Sequence, residues 1–194
     1  MPLTHPVSGD LGCKVVYYGP AASGKTTNLK HVYGRLDPAA RGKLITPTDG
    51  PERTLFFDFL PVDMGVVHGV RTRFHLYTVP GQSPQRDSRR LVLRGVDGVV
   101  FVADSHPQRM AANRESLSDL EANLAELDLS IAEVPMVIQY NKRDLEGATP
   151  IDELQAQLNP GERKCFEAVA IDGTGVLESL TAISRHVIKA LNRA

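Results

Sequence analysis

The sequence predicts a doubly wound α/β domain: a six-stranded, mostly parallel sheet with helices on both faces. Three observations carry this. Strand-like and helix-like segments alternate along nearly the whole chain. The run Val99-Val100-Phe101-Val102-Ala103 is apolar without alternation, as a parallel strand covered on both faces is. The stretch Gly19-Pro20-Ala21-Ala22-Ser23-Gly24-Lys25-Thr26 fits the pattern of a glycine, four residues, then Gly-Lys-Ser/Thr, between a strand and a helix.

In order, residues 1–10 hold two prolines and a glycine and read as a loose lead-in to one domain over 11–194. Cys13 to Tyr18 is rich in β-branched and aromatic residues, a strand; Thr26 to Tyr33 reads as a helix. Asp37 to Pro51, with Gly42, Pro47, Gly50 and Pro51, is a long connection of the kind that carries function or moves. Thr54–Val62 and Val70–Val79 read as strands, with Asp63-Met64-Gly65 and Gly69 marking a hairpin between them, and Pro80-Gly81-Gln82 breaks the pattern. After the buried strand at 99–103, Leu117, Leu120, Leu124 and Leu127 make one stripe on a helix from about Pro107 to Leu127, a core face. Val134–Tyr140 is the next strand, followed by a helix at 150–158, a strand at 164–169 and a helix at 175–192. There is no internal repeat and no low-complexity tract.

Composition narrows the classes. The apolar fraction is 42% and the formal net charge −1. That balance gives no case for nucleic acid or an acidic membrane surface as partner. Cys13 and Cys165 form no disulfide framework and read as reduced strand residues of a cytoplasmic protein. No apolar run approaches a bilayer span, the start has no signal core, and neither Met-Gly nor a C-terminal prenylation cysteine is present. Any membrane association is therefore expected through a partner. The six histidines show no metal-ligand spacing.

The glycine-bearing loop at 19–26 points to a phosphate. Gly19 and Gly24 let the backbone turn tightly and approach an anion closely. The N–H groups of Ala21, Ala22, Ser23 and Gly24 then form a nest, and the following helix, through Thr26 and Thr27, adds its positive end. Lys25 can reach β- and γ-phosphates, and the Thr26 hydroxyl is a hard ligand for Mg²⁺. A second motif, Asn141-Lys142-Arg143-Asp144, follows a strand, where ligands of α/β sheets sit. The Asp144 carboxylate can accept from two adjacent N–H donors, which guanine offers and adenine does not. The Lys142 stem can lie over the purine, and Asn141 can tie this loop to the phosphate loop. Val169-Ala170-Ile171 is a third candidate, with the Ala170 N–H expected at guanine O6.

Phosphate loop, Asn-Lys-x-Asp and element order resemble the Ras-like small GTPases across nearly the whole chain. Glu52 to Phe59, Tyr77-Thr78-Val79-Pro80-Gly81-Gln82 and Leu93-Arg94-Gly95-Val96-Asp97-Gly98 resemble, more narrowly, the MglA-type polarity GTPases of bacteria, which direct gliding or twitching motility. The resemblance implies a GTP/GDP switch with Mg²⁺, switch segments at about 37–54 and 80–92, and hydrolysis of GTP that is slow without a partner. It places Thr54 on Mg²⁺ and the γ-phosphate, the Gly81 N–H on the γ-phosphate and Gln82 on the attacking water. It also implies that Arg53 swings in from the same chain to stabilise charge, where sequence alone would leave it a solvated arginine.

It further implies an MglB-like activating protein, effectors on the switch face, a strand at 54–62 that moves in register, a monomer when alone, and recruitment to a cell pole by partners. The usual Asp-x-x-Gly is Thr78-Val79-Pro80-Gly81 here, and Asp58 is the expected substitute carboxylate, outside the first shell of Mg²⁺. Two departures from the MglA pattern stand out. Ala21 replaces a glycine, and its methyl is expected to slow hydrolysis; Ser83-Pro84-Gln85 replaces an apolar segment that bears on partners. Arg86, Arg89, Arg90 and Arg94 are either a solvated helix face or a partner patch. A GTP/GDP-sensing module with negligible hydrolysis stays open beside the hydrolase, as does, more remotely, a nucleotide kinase.

Overall fold

The computed structural model describes residues 3–4, 10–46, 57–67, 69–80, 86–159 and 161–192. Its strands are β1 (Leu3–Thr4), β2 (Leu11–Tyr18), β3 (Phe59–Val67), β4 (Val70–Thr78), β5 (Gly98–Asp104), β6 (Met136–Asn141) and β7 (Cys165–Glu167). Its α-helices are α1 (Lys25–Arg35), α2 (Arg86–Leu93), α3 (Met110–Ala125), α4 (Ile151–Leu158) and α5 (Val176–Leu191). The sheet runs β3-β4-β2-β5-β6-β7. Only the β3–β4 pair on this path is antiparallel. The six expected strands are these six. Within the lead-in, β1 adds a short seventh, antiparallel to the start of β2.

Alternation along β2 splits the core in two. Cys13, Val15 and Tyr17 face one layer with Leu29 and Val32 of α1 and Leu180, Ile183 and Val187 of α5. Val16 and Tyr18 face the other, with Leu93 of α2, Leu120 and Leu124 of α3, and Leu154 and Leu158 of α4. β5 is buried at every residue, as its unbroken apolar run requires. α5 closes tightly on it at Gly98, where an added Cβ would lie 2.6 Å from Val187 Cγ2. Both cysteines are free, and burial pushes the Cys13 thiol up to about 12, which disfavours the nucleophilic thiolate.

The β3–β4 hairpin differs from expectation. The local turn at Asp63-Met64-Gly65 exists, with the Gly65 N–H donating to Asp63 Oδ1 at 2.8 Å, but it is absorbed as a register shift between Asp63 and Val66. Pairing resumes at Val66 and the chain reverses only before Val70. So the strand predicted over 54–62 runs from Phe59 to Val67; residues 54–56 lie outside the described residues. The last strand is also shorter than 164–169: after Glu167 the chain turns, with a single bridge from Val169 to Thr174. Among the described residues, no helix is long and apolar enough to cross a membrane.

Candidate nucleotide-binding site

β2 ends at Tyr18, and the loop to α1 lies across the C-terminal edge of the sheet. Gly19 has φ 146°, and an added Cβ would fall 2.2 Å from the Val102 carbonyl of β5, so only glycine lets the loop leave the strand this close to its neighbour. Ala22 occupies the left-handed region at φ 59°, and Gly24, at φ 104°, caps the N-terminus of α1. Lys25, expected to point at phosphates, is buried and folded back, its Nζ donating to the Gly19 and Pro20 carbonyls at 2.8 and 2.7 Å. Burial, then the neighbouring positive charge of Arg89, holds its pKa down at about 7. An arriving phosphate supplies the opposite charge that favours the protonated form.

Thr26 follows, and its hydroxyl donates to Asp58 Oδ2 at 2.6 Å. The same oxygen accepts the Thr78 hydroxyl at 2.7 Å, and the Asp58 N–H donates to Thr78 Oγ1 at 2.9 Å. Asp58 is 4% exposed, just ahead of β3, and Thr78 closes β4. The donor set fits Mg²⁺. With its proton committed to Asp58, the Thr26 hydroxyl keeps a lone pair toward the cleft, and the carboxylate behind it favours a cation. Among the described residues, no group of three or more His, Cys, Asp or Glu gathers as a metal cage.

Asn141, the last residue of β6, bridges two loops. Its Nδ2 donates to the Ser23 carbonyl at 2.7 Å, and its Oδ1 accepts the Ala170 N–H at 2.8 Å. Gly24 must lack a side chain for this, since a Cβ would stand 2.1 Å from Asn141 Nδ2. The Ala170 N–H, expected at guanine O6, donates to Asn141 Oδ1 in this structure, and Ala170 lines the same pocket as Asp144. Lys142, in the left-handed region at φ 66°, stretches to Asp104 Oδ2 at 2.7 Å.

Two cavities result. A cleft of about 690 Å³ is lined by Ala21, Lys25, Thr26, Thr46 and Asp58 among others. A pocket of about 230 Å³ is lined by Asn141, Lys142, Asp144, Val169, Ala170 and Ile171. Both include Ala22, Gly24 and Thr27, so they meet along the phosphate loop.

Arg53, Thr54, Gly81 and Gln82 lie outside the described residues, as does Ser83-Pro84-Gln85. Of the four arginines read as solvent-facing or partner-facing, Arg89 is neither. It is 8% exposed, with Nε on the Pro80 carbonyl at 2.9 Å and Nη1 on Asp119 at 2.6 Å. Arg90 pairs with Asp87 and Glu126. Sequence reasoning missed Asp104 and Arg109. Asp104 carried one signal, a carboxylate ending an apolar strand at the ligand-binding edge; Arg109 carried none.

A glycine-bearing loop ahead of α1, joined through one asparagine to a second pocket lined by Asp144, on a mostly parallel sheet with helices on both faces, is the architecture of a small GTPase domain. The comparisons narrow the class. The ADP-ribosylation factor family matches residues 8–187, and the chain belongs to that family of small GTPases, enzymes that hydrolyse GTP. It is 50% identical over 186 residues to the mutual gliding-motility protein MglA of Myxococcus xanthus, covering 96% of this chain and 95% of that one. It is 27% identical over 189 residues to ADP-ribosylation factor-like protein 6 of Caenorhabditis briggsae (94% and 90% covered). With human ADP-ribosylation factor-like protein 4A it shares 30% over 125 residues (60% and 59%).

Proposed function

We propose that the chain is a GTP-hydrolysing switch that regulates cell polarity and gliding or twitching motility through effectors that read its nucleotide state. The observation that carries the nucleotide reading is the pair of cavities meeting at Ala22, Gly24 and Thr27, with Asn141 bonded to both loops. One cavity suits phosphates and the other a purine. Asp144 at the rim selects guanine by accepting from adjacent N–H groups, and Lys142, extended toward Asp104, lays its stem beside the base. The motility role comes from the likeness to the Myxococcus protein, whose name states gliding motility.

In the mechanism, the phosphate-loop N–H groups and the α1 terminus bind the phosphates. Lys25 leaves the Gly19 and Pro20 carbonyls for the phosphate oxygens, and Thr26 with Thr54 would hold the metal ion, backed by Asp58. Mg²⁺, when bound, neutralises phosphate charge. The Gly81 N–H senses the γ-phosphate, Gln82 orients water, and Arg53 stabilises the charge that develops, as resemblance implies. Switch segments 37–54 and 80–92 order around the γ-phosphate and relax after its loss. The chain acts in the cytoplasm, and an MglB-like protein orders the first switch and accelerates hydrolysis.

The test is single-turnover GTP hydrolysis by wild type and Arg53→Ala, each with and without that partner. Strong acceleration of wild type alone is the expected result. A partner that leaves wild type slow would favour the second reading, a nucleotide-state sensor with negligible hydrolysis; the Ala21 methyl lining the phosphate cleft is the observation in its favour.

A further inference from the structure

Arg109 reaches back across the sheet edge to the phosphate loop. Its Nη2 donates to the Ala21 carbonyl at 2.7 Å, a charge-assisted bond between residues far apart in sequence. It stands at the junction of the 3₁₀ turn Pro107–Arg109 and α3, with its N–H on the His106 carbonyl at 2.8 Å. The 3₁₀ turn, capped by His106, follows β5, whose last residue Asp104 is 2% exposed. Asp104 is held on every side. Its N–H donates to Asn113 Oδ1 and its carbonyl accepts Asn113 Nδ2, while Oδ1 accepts the His106 N–H. Its Oδ2 accepts Lys142 Nζ at 2.7 Å and lies 3.7 Å from Arg109 Nε. One buried carboxylate therefore faces a cation from the base loop and a cation that grips the phosphate loop.

The geometry of the peptide group gives that grip a consequence. The described chain holds no cis peptide, so the Ala21 C=O and the Ala22 N–H point in opposite directions from one rigid plane. Fixing where the carbonyl points fixes where the N–H points. The next residue, Ala22, sits in the left-handed region without being glycine, a conformation of about 1 kcal/mol or more in cost that needs outside support. Arg109 supplies it.

We propose that Arg109 is a positioning residue for the nucleotide. It holds the Ala21–Ala22 peptide in its anion-binding orientation, and Asp104, by engaging Lys142 and Arg109 together, sets the base loop and the phosphate loop from one point. The inference rests on the nucleotide-binding reading above. It makes the base loop and the phosphate loop mechanically dependent on one buried carboxylate, Asp104.

The experiment compares GDP with GMP, which lacks the β-phosphate, by equilibrium competition against a fluorescent GDP. It uses wild type, Arg109→Ala, Arg109→Lys and Asp104→Asn. Arg109→Ala is expected to weaken GDP about tenfold while leaving GMP within about twofold, the size of one charge-assisted hydrogen bond acting on the phosphate end. Arg109→Lys, which keeps one charged donor, restores most of the loss. Asp104→Asn weakens both ligands, because it releases Lys142 as well. Equal losses for GDP and GMP in Arg109→Ala, or no loss, would overturn the proposal; the first would make the arginine a general support of the fold. Wild type that bound no GDP would overturn the nucleotide reading itself, and this inference with it.

Discussion

The hydroxyl of Thr26 stands 2.6 Å from Asp58 Oδ2, across the gap between the phosphate loop and the start of β3. The acidic residue that small GTPases keep in their Asp-x-x-Gly motif is Thr78 here, and Thr78 bonds the same oxygen. So the carboxylate behind Thr26 comes from the residue just ahead of β3, and Thr78 donates its hydroxyl to it. Asp58→Asn keeps the shape and removes the charge. In wild type, chelating Mg²⁺ should speed GDP release strongly. In the variant, release should already be about tenfold faster or more with Mg²⁺ present, and chelation should add little. Release that stays slow and chelator-sensitive in Asp58→Asn would remove Asp58 from the metal site.

Asn141 makes two buried hydrogen bonds that join the two halves of the site. Asn141→Ala leaves the Ser23 carbonyl and the Ala170 N–H without those partners, at about 1–3 kcal/mol each. GDP affinity should fall by at least about tenfold, with a smaller loss of thermal stability once excess GDP is removed. Asp144→Asn tests the other side of the pocket. It replaces a two-fold acceptor with a donor and an acceptor, so guanine affinity should fall and that for xanthosine diphosphate, with a carbonyl where guanine has an amine, should rise. Unchanged guanine preference would remove Asp144 from base recognition.

How much of this the sequence disclosed follows from how each feature is encoded. The phosphate loop and Asn141-Lys142-x-Asp144 are short motifs with fixed local geometry, and both lie at the sheet edge where strand ends were expected. Asp63-Met64-Gly65 is a true local turn, yet cross-strand pairing resumes beyond it, so the hairpin was placed too early. The bond from the Ala170 N–H to Asn141 joins residues distant in sequence, so no strand-end pattern discloses it. The Arg109–Ala21 and Arg89–Pro80 bonds are also through-space facts, since an arginine reaches farther than any periodicity records.

Arg89 links α2 to α3. Its guanidinium bonds Asp119, which also accepts the Tyr18 hydroxyl at 2.5 Å, and its Nε holds the Pro80 carbonyl. Arg89→Ala leaves that carboxylate without its guanidinium partner in a largely enclosed site, and a loss of about 1.5–3 kcal/mol is expected in urea unfolding. Asp119→Asn should cost less, because the amide oxygen still accepts from Arg89. If Arg89→Ala unfolds at the wild-type midpoint, the contact is a surface pairing of no energetic weight.

Ala21 combines two roles that one substitution separates. Its methyl belongs to the lining of the phosphate cleft, while its carbonyl is held by Arg109. Ala21→Gly removes the first and keeps the second, so the loop retains its anchor and the change is confined to the space where water and side chains must align on the γ-phosphate. GDP affinity should stay within about twofold, and single-turnover GTP hydrolysis should rise by up to about tenfold, since reaction rates depend steeply on small displacements of the attacking group. The rise should persist with the activating partner present, because the crowding lies in this chain. Hydrolysis no faster than wild type would show that the methyl is harmless, and the cause of any slow turnover would then lie in the segments that carry Arg53 and Gln82.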